Sequence, residues 1–304
     1  ASDGSCNGLQ HLSAMLRDLE GGKAVNLTPS DEPQDIYADV AKRATELLEE
    51  DGSEMAMHLL NIGICRKLTK RSVMIVPYSG TRHACRDYIM EALEDKCTGN
   101  NPWGDDFFEA SMVLSGFVWQ AIGDVIVSAF SAMQYIKDVA KLYVDNGIPF
   151  TWTTPTNLIV RQFYTDRKSK RIKTHIAGSL VALRYYEDMG DKIDSRKTLS
   201  GASPNFVHSL DAAALTMTVH ECLKDGILDY AMVHDSYGTH SPNMPRLNQR
   251  LREAFVVMYQ EHDVLLNLYE DAVVSLPEGT LVPAPPSKGD LDLTQVLQSD
   301  YFFA

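Results

Sequence analysis

Apolar residues recur every three or four positions along most of the chain, a spacing typical of helices that bury one face. In the second such stretch, Val40, Ala44 and Leu47 follow Ser30 and Asp31, whose side chains are suited to capping a helix N-terminus. The pattern predicts helices over residues 8–19, from residue 30 onward, and over about 54–76, 106–146, 205–224 and 245–272.

Two stretches have a different character. Residues 150–164 and 175–186 are rich in β-branched and aromatic side chains and enclose the polar tract 165–174, so we predict a hairpin with a basic turn. Residues 229–233 form a short apolar segment, predicted to be a buried strand, that ends at His234-Asp235-Ser236. Residues 276–289 are rich in proline and glycine. Helices and strands together predict an α+β fold.

The net charge and the distribution of charge along the chain indicate different classes of function. The 304 residues carry a formal charge of −13, which argues against a protein that coats nucleic acid over its whole surface. Six bases nevertheless lie within residues 65–86 and six within residues 161–173. Such tracts are candidate polyanion sites, although solvated helix and loop faces explain them as well. The five cysteines form no CxxC pair, and no run of 18 apolar residues occurs, so we expect no zinc ribbon and no membrane partner.

Three short segments carry candidate chemistry. Asp3 opens an Asp-Gly-Ser sequence, and Asp235 follows the predicted strand at 229–233. Arg66 and Lys70 are four residues apart, so a helix projects both cations from one face, and Tyr78 lies about two turns further on. Each segment alone is weak, because Asp-Gly-Ser is a common turn and strand-ending aspartates are common in loops.

The order of the segments is more specific than any one of them. DGSCNGLQH, RKLTKRSVMIVPY, PNFVHSLD and VHDSYGTH follow one another along the chain. This series resembles the single-subunit DNA-directed RNA polymerases of T7-like phages and mitochondria, with the first, second and last blocks similar to polymerase motifs A, B and C. The resemblance implies a right-hand polymerase palm, a small antiparallel sheet with helices, that carries a mostly helical fingers insertion.

The resemblance also implies roles for individual residues. Asp3 and Asp235 are expected to be catalytic and to bind two Mg²⁺ ions with the Gly4 carbonyl, and Lys70 is expected to be a general acid. The nucleotide-binding residues expected from the resemblance are Arg66, Lys70, Arg71, Tyr78 and His208. His234 and the C-terminal Ala304 are expected near the primer end. The cations expected to contact nucleic acid from the hairpin region are Arg161, Arg167, Lys168, Lys170, Arg171 and Lys173.

The same resemblance divides the chain into palm (1–28), fingers (29–204) and palm with C-terminal tail (205–304). The motif B helix is expected near 62–80 and the basic hairpin near 161–187. We expect the N-terminal domain and thumb to be absent from this chain and to be supplied by a partner subunit or the remainder of the polymerase. Expected ligands are template and promoter DNA, nascent RNA and nucleoside triphosphates. The expected location is the cytoplasm of an infected bacterium, with packaging in the virion left open.

Two rival hypotheses remain at this point. A family A DNA polymerase shares the palm plan, but its motifs generally read Asp-Tyr-Ser and His-Asp-Glu, where this chain has Asp3-Gly4-Ser5 and His234-Asp235-Ser236. The other rival is a non-catalytic nucleic-acid-binding subunit that retains the fold. The simultaneous presence of Asp3, Lys70, Tyr78 and Asp235 argues against it.

Overall fold

A computed structural model describes residues 1–97, 103 and 107–303. Within these residues the chain is mostly helical, and the helices are separated by short loops. The α-helices are α1 (Asn7–Leu16), α2 (Leu19–Ala24), α3 (Ile36–Asp51), α4 (Glu54–Ile62), α5 (Arg66–Met74), α6 (Arg82–Lys96), α7 (Phe108–Val125), α8 (Val127–Asp145), α9 (Ser195–Lys224), α10 (Met244–Glu261) and α11 (Val264–Ser275).

Seven strands form three antiparallel sheets in the described part of the chain. The strands are β1 (Ser2–Asp3), β2 (Phe150–Thr153), β3 (Ile159–Gln162), β4 (Thr165–Ile176), β5 (Ser179–Ile193), β6 (Ala231–Val233) and β7 (Ser236–Gly238). β1, β7 and β6 make a three-stranded sheet in that order, whereas β2–β3 and β4–β5 are separate hairpins. The predicted α+β fold is confirmed.

Long helices surround the small sheet. α1 is buried along its whole length and packs against α8 and α9, and α9 packs in turn against α10. Trp152, Phe206 and Phe302 are among the largest fully buried side chains of this core. Because the buried α1 follows β1 directly, the core fixes the position of the first strand.

The predicted start of the second helix is wrong. Asp35, not Ser30, is the N-cap of α3, and its carboxylate accepts hydrogen bonds from the backbone amides of Tyr37 and Ala38. The Ser30 hydroxyl instead donates to the Glu32 carbonyl within the preceding loop. Both residue types favour caps, so the local sequence alone does not decide between them.

Three helices that were expected to be continuous are broken. In the stretch 245–272, α10 ends at Glu261 and α11 begins at Val264, with Asp263 as its N-cap. The stretch 54–76 divides into α4 and α5 because Gly63 adopts a φ of +83°, which favours glycine and ends α4. The stretch 106–146, whose first residue lies outside the described residues, divides into α7 and α8 at Ile126. Among the described residues no single helix has the length and apolar character to cross a membrane, and the pair α7–α8, bent by 91°, meets these criteria only when taken together.

The turn of the basic hairpin is also not where we predicted it. The tract 165–174 belongs to strand β4, and the turn consists of Ala177 and Gly178, which have φ values of +50° and +82°. Positive φ at both central residues is the requirement of the two-residue turns that suit twisted hairpins. The strand was missed because both faces of this two-stranded ribbon are largely exposed, so no burial pattern marks it.

Candidate active site

The three-stranded sheet brings together two acids from opposite ends of the sequence. Asp3 lies opposite Ser236 in the antiparallel β1–β7 pair, and the Gly4 amide donates to the Asp235 carbonyl at 3.0 Å. Asp3 and Asp235 therefore sit on neighbouring backbones, which in a sheet run about 4.8 Å apart. Asp3 is exposed and Asp235 is half-buried, so both carboxylates are accessible to a ligand.

The segment before Asp235 is a strand, as predicted, but it is not buried. β6 is an outer strand of the sheet, and Val233 is 68% exposed. His234 and Asp235 form the two-residue turn between β6 and β7, and His234 has a φ of +52°. The turn places the His234 side chain at the surface beside Asp235.

Helix α5 presents the predicted pair of cations to the same region. The Arg66 guanidinium lies 5.1 Å and the Lys70 ammonium 5.9 Å from the centre of the Tyr37 ring. A ring face attracts cations, so Tyr37 holds both side chains on one side of the helix. A cavity of about 180 Å³, here called the central cavity, is lined among others by Gly4, Asp235, Arg66, Lys70, Tyr37 and Tyr78.

Tyr78 lines the central cavity but lies in a different element from the one predicted. The fingers helix expected near 62–80 ends as α5 at Met74, and Tyr78 lies in a short 3-10 turn, Val76–Tyr78, that contains Pro77. Its ring stacks on His208 of α9, with ring centres 4.6 Å apart and planes 16° apart. Burial raises the pKa of Tyr78, and burial lowers the pKa of His208, aided by His234 and opposed by Asp211.

Glycine at position 8 permits this arrangement. A Cβ atom built on Gly8 would lie 2.7 Å from the Pro77 Cβ and 3.1 Å from the Tyr78 hydroxyl. The first turn of α1 thus packs directly on the turn that carries Tyr78. This contact links the segment after Asp3 to the segment after α5.

The predicted nucleotide-binding cations of α5 differ in whether an acidic side chain already pairs with them. The Arg66 guanidinium donates to Asp35, whereas no acid lies within ion-pair distance of Lys70 among the described residues. Arg71 lies on another side of α5, where it pairs with Glu91 and covers the ring of Tyr88 at 4.2 Å. The structure therefore places Arg66, Lys70, Tyr78 and Asp235 around the central cavity. His208 stacks on Tyr78, and Asp3 lies on the strand next to Asp235, but Arg71 lies elsewhere.

The hairpin cations fall into two groups. Arg167 pairs with Asp188 at 2.8 Å and Lys170 pairs with Glu187 at 2.5 Å, across the β4–β5 ribbon. Arg161 belongs to β3, and its guanidinium lies 5.3 Å from the centre of the Phe163 ring. In the described part of the chain no ion pair involves the three remaining cations, Lys168, Arg171 and Lys173.

The C-terminal tail lies against the first strand. Phe303 forms a β-bridge with Gly4, and Phe302 is fully buried, with its carbonyl accepting a hydrogen bond from the Gln10 side chain at 2.9 Å. The predicted position near the primer end concerns Ala304, which lies outside the described residues. Its neighbour Phe303 is beside Gly4.

Sequence reasoning missed two residues of the site. Tyr37 received no role, and no local signal marks it, since it contacts cations of another helix. Asp211 was within the quoted block PNFVHSLD but received no role. It lies one turn after His208 on α9 and accepts a hydrogen bond from Asn7 at 2.9 Å, and the spacing of three from His208 was the available signal.

The donor atoms at the sheet suit a hard cation. Two carboxylates and a backbone carbonyl are oxygen ligands of the kind that Mg²⁺ prefers, and Mg²⁺ keeps several waters and needs only one or two carboxylates. Among the described residues no group of three His, Cys, Asp or Glu side chains forms a separate metal site. The residues present therefore fit a metal that completes its shell with water and substrate phosphate.

The sequence is similar to those of known proteins along nearly its whole length. The family model for DNA-dependent RNA polymerase matches residues 1–281. The DNA-directed RNA polymerase of Enterobacteria phage K11 is 34% identical, over all of this chain and 38% of the relative. A mitochondrial DNA-directed RNA polymerase 1 of Nicotiana sylvestris is 35% identical over 99% of this chain and 30% of the relative. The chain thus spans well under half the length of these two relatives, but 90% of DNA-directed RNA polymerase 2A of Nicotiana tabacum, which is 34% identical.

Proposed function

Because this chain belongs to the T7-like single-subunit family of DNA-dependent RNA polymerases, we propose that it is the catalytic portion of such an enzyme. It would extend RNA along a DNA template by transferring nucleotides from ribonucleoside triphosphates. The observation that carries this proposal is that Asp3, on β1, lies next to the β6–β7 turn that holds Asp235, and that Asp235 lines the same cavity as Lys70 and Tyr78.

Asp3, Asp235 and the Gly4 carbonyl would hold two Mg²⁺ ions. When bound, these ions make the RNA 3′-hydroxyl a better nucleophile and neutralise charge on the departing pyrophosphate. The protein supplies the alignment, because the β1–β7 pairing and the Gly4–Asp235 hydrogen bond fix the two acids relative to each other.

Lys70 and Arg66 would bind the triphosphate. Hydrogen bonds from a cation to phosphate are roughly twice as strong as neutral ones, and the Tyr37 ring beneath both side chains restricts where they point. Lys70 would also donate a proton to the pyrophosphate oxygen as it leaves. Its lack of an acidic partner among the described residues supports this role.

Tyr78 and His208 would recognise the ribose. A 2′-hydroxyl is both a donor and an acceptor, and the pair offers the phenol of Tyr78, which lines the central cavity, and the imidazole of His208, which stacks on it. Burial favours the neutral imidazole, which retains one donor and one acceptor nitrogen. His234 lies beside Asp235 and would contact the primer end.

The ribbon β4–β5 would contact DNA through Lys168, Arg171 and Lys173, together with Arg161 at the preceding strand. These long cations would mainly bind phosphates, which position a duplex without reading its sequence. Arg167 and Lys170 would contribute only after exchanging their partners Asp188 and Glu187 for phosphate.

Activity of the whole enzyme would also require an N-terminal partner subunit or the remainder of the polymerase. The lengths of the phage and mitochondrial relatives support this inference. We propose promoter DNA, nascent RNA and nucleoside triphosphates as the other partners. The phage relatives further suggest action in the cytoplasm of an infected bacterium.

The test is template-directed RNA synthesis by the assembly purified through a tag on this chain. Asp235→Asn keeps the size of the side chain and removes its charge, so synthesis should fall by more than a hundredfold, as for other groups that stabilise transition-state charge. Asp229→Asn is the matched control, because Asp229 precedes the same hairpin and its side chain is 77% exposed. Undiminished synthesis by Asp235→Asn would favour the non-catalytic alternative.

A further inference from the structure

An acid that the proposed mechanism does not use lies behind the central cavity. Asp211 on α9 is only 5% exposed, and its Oδ1 accepts a hydrogen bond from the Asn7 side-chain amide at 2.9 Å. Asn7 is the first residue of α1, lines the central cavity and lies three residues after Gly4. The bond therefore joins the helix that follows Asp3 to the helix that carries His208.

The surroundings of Asp211 make this carboxylate costly to bury. Burial raises its pKa and the nearby charge of Asp235 raises it further, whereas the Asn7 hydrogen bond, His234 and His208 oppose the rise. A buried ionised group destabilises a fold unless its partners compensate, and an apolar residue of similar size is often no worse for stability. Because burying this carboxylate costs stability, we look for its role in the groups that it positions.

The position of Asp211 determines what it can hold in place. One helical turn separates it from His208, which lies on the same face of α9 and stacks on Tyr78. At the other end of the hydrogen bond, α1 packs through Gly8 on the turn that carries Tyr78. Asn7 and Asp211 thus close a ring of contacts that includes α1, the Tyr78 turn and His208.

We propose that Asp211 is a positioning residue for ribose selection. Its hydrogen bond to Asn7 holds α9 in register with α1 and thereby fixes the Tyr78–His208 pair relative to Asp3 and Asp235. This inference rests on the proposed function, because it concerns the choice between ribonucleotides and deoxyribonucleotides by that same site.

The test is a double-mutant cycle in the tag-purified assembly, with the ratio of kcat/KM for a ribonucleotide to that for the matching deoxyribonucleotide as the readout. Asn7→Ala and Asp211→Ala should each lower this ratio about tenfold, the range of one buried hydrogen bond. The double variant should be no worse than either single variant, because both remove the same interaction. Asp211→Asn retains an acceptor oxygen and should stay within about threefold of the native ratio.

Ser209→Ala is the control on the same helix. The Ser209 hydroxyl accepts a hydrogen bond from the Trp152 indole at 2.9 Å, away from the central cavity, so its loss should lower the melting temperature and leave the ratio unchanged. Three outcomes would each overturn the proposal. The first is a native ratio in Asp211→Ala, and the second is additive effects of Asn7→Ala and Asp211→Ala. The third is an equal loss in Asp211→Asn and Asp211→Ala. If Asp211→Ala does not fold, Asn7→Ala and Asp211→Asn still decide. Absence of synthesis by the native assembly would instead refute the proposed function.

Discussion

Replacing Gly8 by alanine tests whether the packing of α1 on the Tyr78 turn matters for activity. The added Cβ would lie 2.7 Å from the Pro77 Cβ, whereas ordinary carbon–carbon contacts begin near ~3.5 Å, so the turn would have to move by roughly 0.8 Å. The proline ring is rigid, and the Tyr78 hydroxyl is only 3.1 Å from the same added atom. Tyr78 would therefore shift with the turn.

The two effects of Gly8→Ala differ in size. Overpacking costs about 1–3 kcal/mol, and alanine regains about 1 kcal/mol through its higher helix propensity, so the net loss of stability is about 0–2 kcal/mol. Displacement of a positioning group by about 1 Å can cost up to ~100-fold in rate. We expect kcat/KM for ribonucleotides to fall at least about tenfold while the protein stays folded.

Gly123→Ala is the matched control, since Gly123 is also helical and has no atom within 4 Å of an added Cβ. It should raise stability by about 1 kcal/mol through helix propensity and leave synthesis unchanged. The assays are thermal unfolding and steady-state nucleotide incorporation at a temperature below both melting points. If Gly8→Ala and Gly123→Ala gave the same activity, the packing argument would be refuted.

Three further predictions concern charge. Lys70→Ala should raise KM for nucleoside triphosphates at least about tenfold in nucleotide titrations. Lys67→Ala should leave KM unchanged, because Lys67 pairs with Asp95. Equal effects of the two substitutions would contradict a phosphate-binding role for Lys70. Burial lowers the pKa of His11 to about 3, so below pH ~6.5 the unfolded chain takes up a proton that the folded chain rejects. In urea denaturation, this group should therefore lower the free energy of unfolding by about 1.4 kcal/mol per pH unit between pH 6 and pH 4. His11→Gln should lack this contribution, and equal pH slopes for the native protein and His11→Gln would disprove the prediction. Lys168→Ala should reduce the slope of the logarithm of the DNA-binding constant against the logarithm of salt concentration by about 1. Lys170→Ala should reduce it by less, because Lys170 pairs with Glu187. Equal slopes for Lys168→Ala and the native protein would contradict phosphate contact by Lys168.

The sequence predicted those parts of the molecule that depend on local pattern. Helical spacing identified most helices, and the strand–turn pattern before Asp235 predicted a strand that ends there. The boundaries failed where a single residue outweighs periodicity, as at Gly63, where a positive φ ends α4, and at Asp35, which caps α3 in place of Ser30. The hairpin turn at Ala177-Gly178 was missed because the flanking strand is exposed and basic on both faces.

The candidate site shows a different limit. Asp3, Lys70, Tyr78 and Asp235 were recognised through the order of their motifs, and pairing of β1 with β7 accounts for how two of them meet. Tyr37 and Asp211 could not be assigned in this way, because the roles proposed for them rest on contacts to Lys70 and Asn7 that only the fold creates. Local chemistry nominates groups that act directly, whereas groups that hold them in place depend on tertiary structure.

An acidic chain can bind polyanions at one place if its acids neutralise the cations elsewhere. In the first basic tract Lys67 pairs with Asp95 and Arg71 with Glu91, whereas Lys70 has no acidic partner within ion-pair distance among the described residues. Arg66 is intermediate, since it pairs with Asp35 at the edge of the central cavity. An ion pair as exposed as that one contributes only about 0–1 kcal/mol, so a triphosphate could replace Asp35 at small cost. The net charge of −13 is therefore compatible with a phosphate site, because this distribution of ion pairs leaves Lys70 unpaired in the cavity that Asp235 also lines.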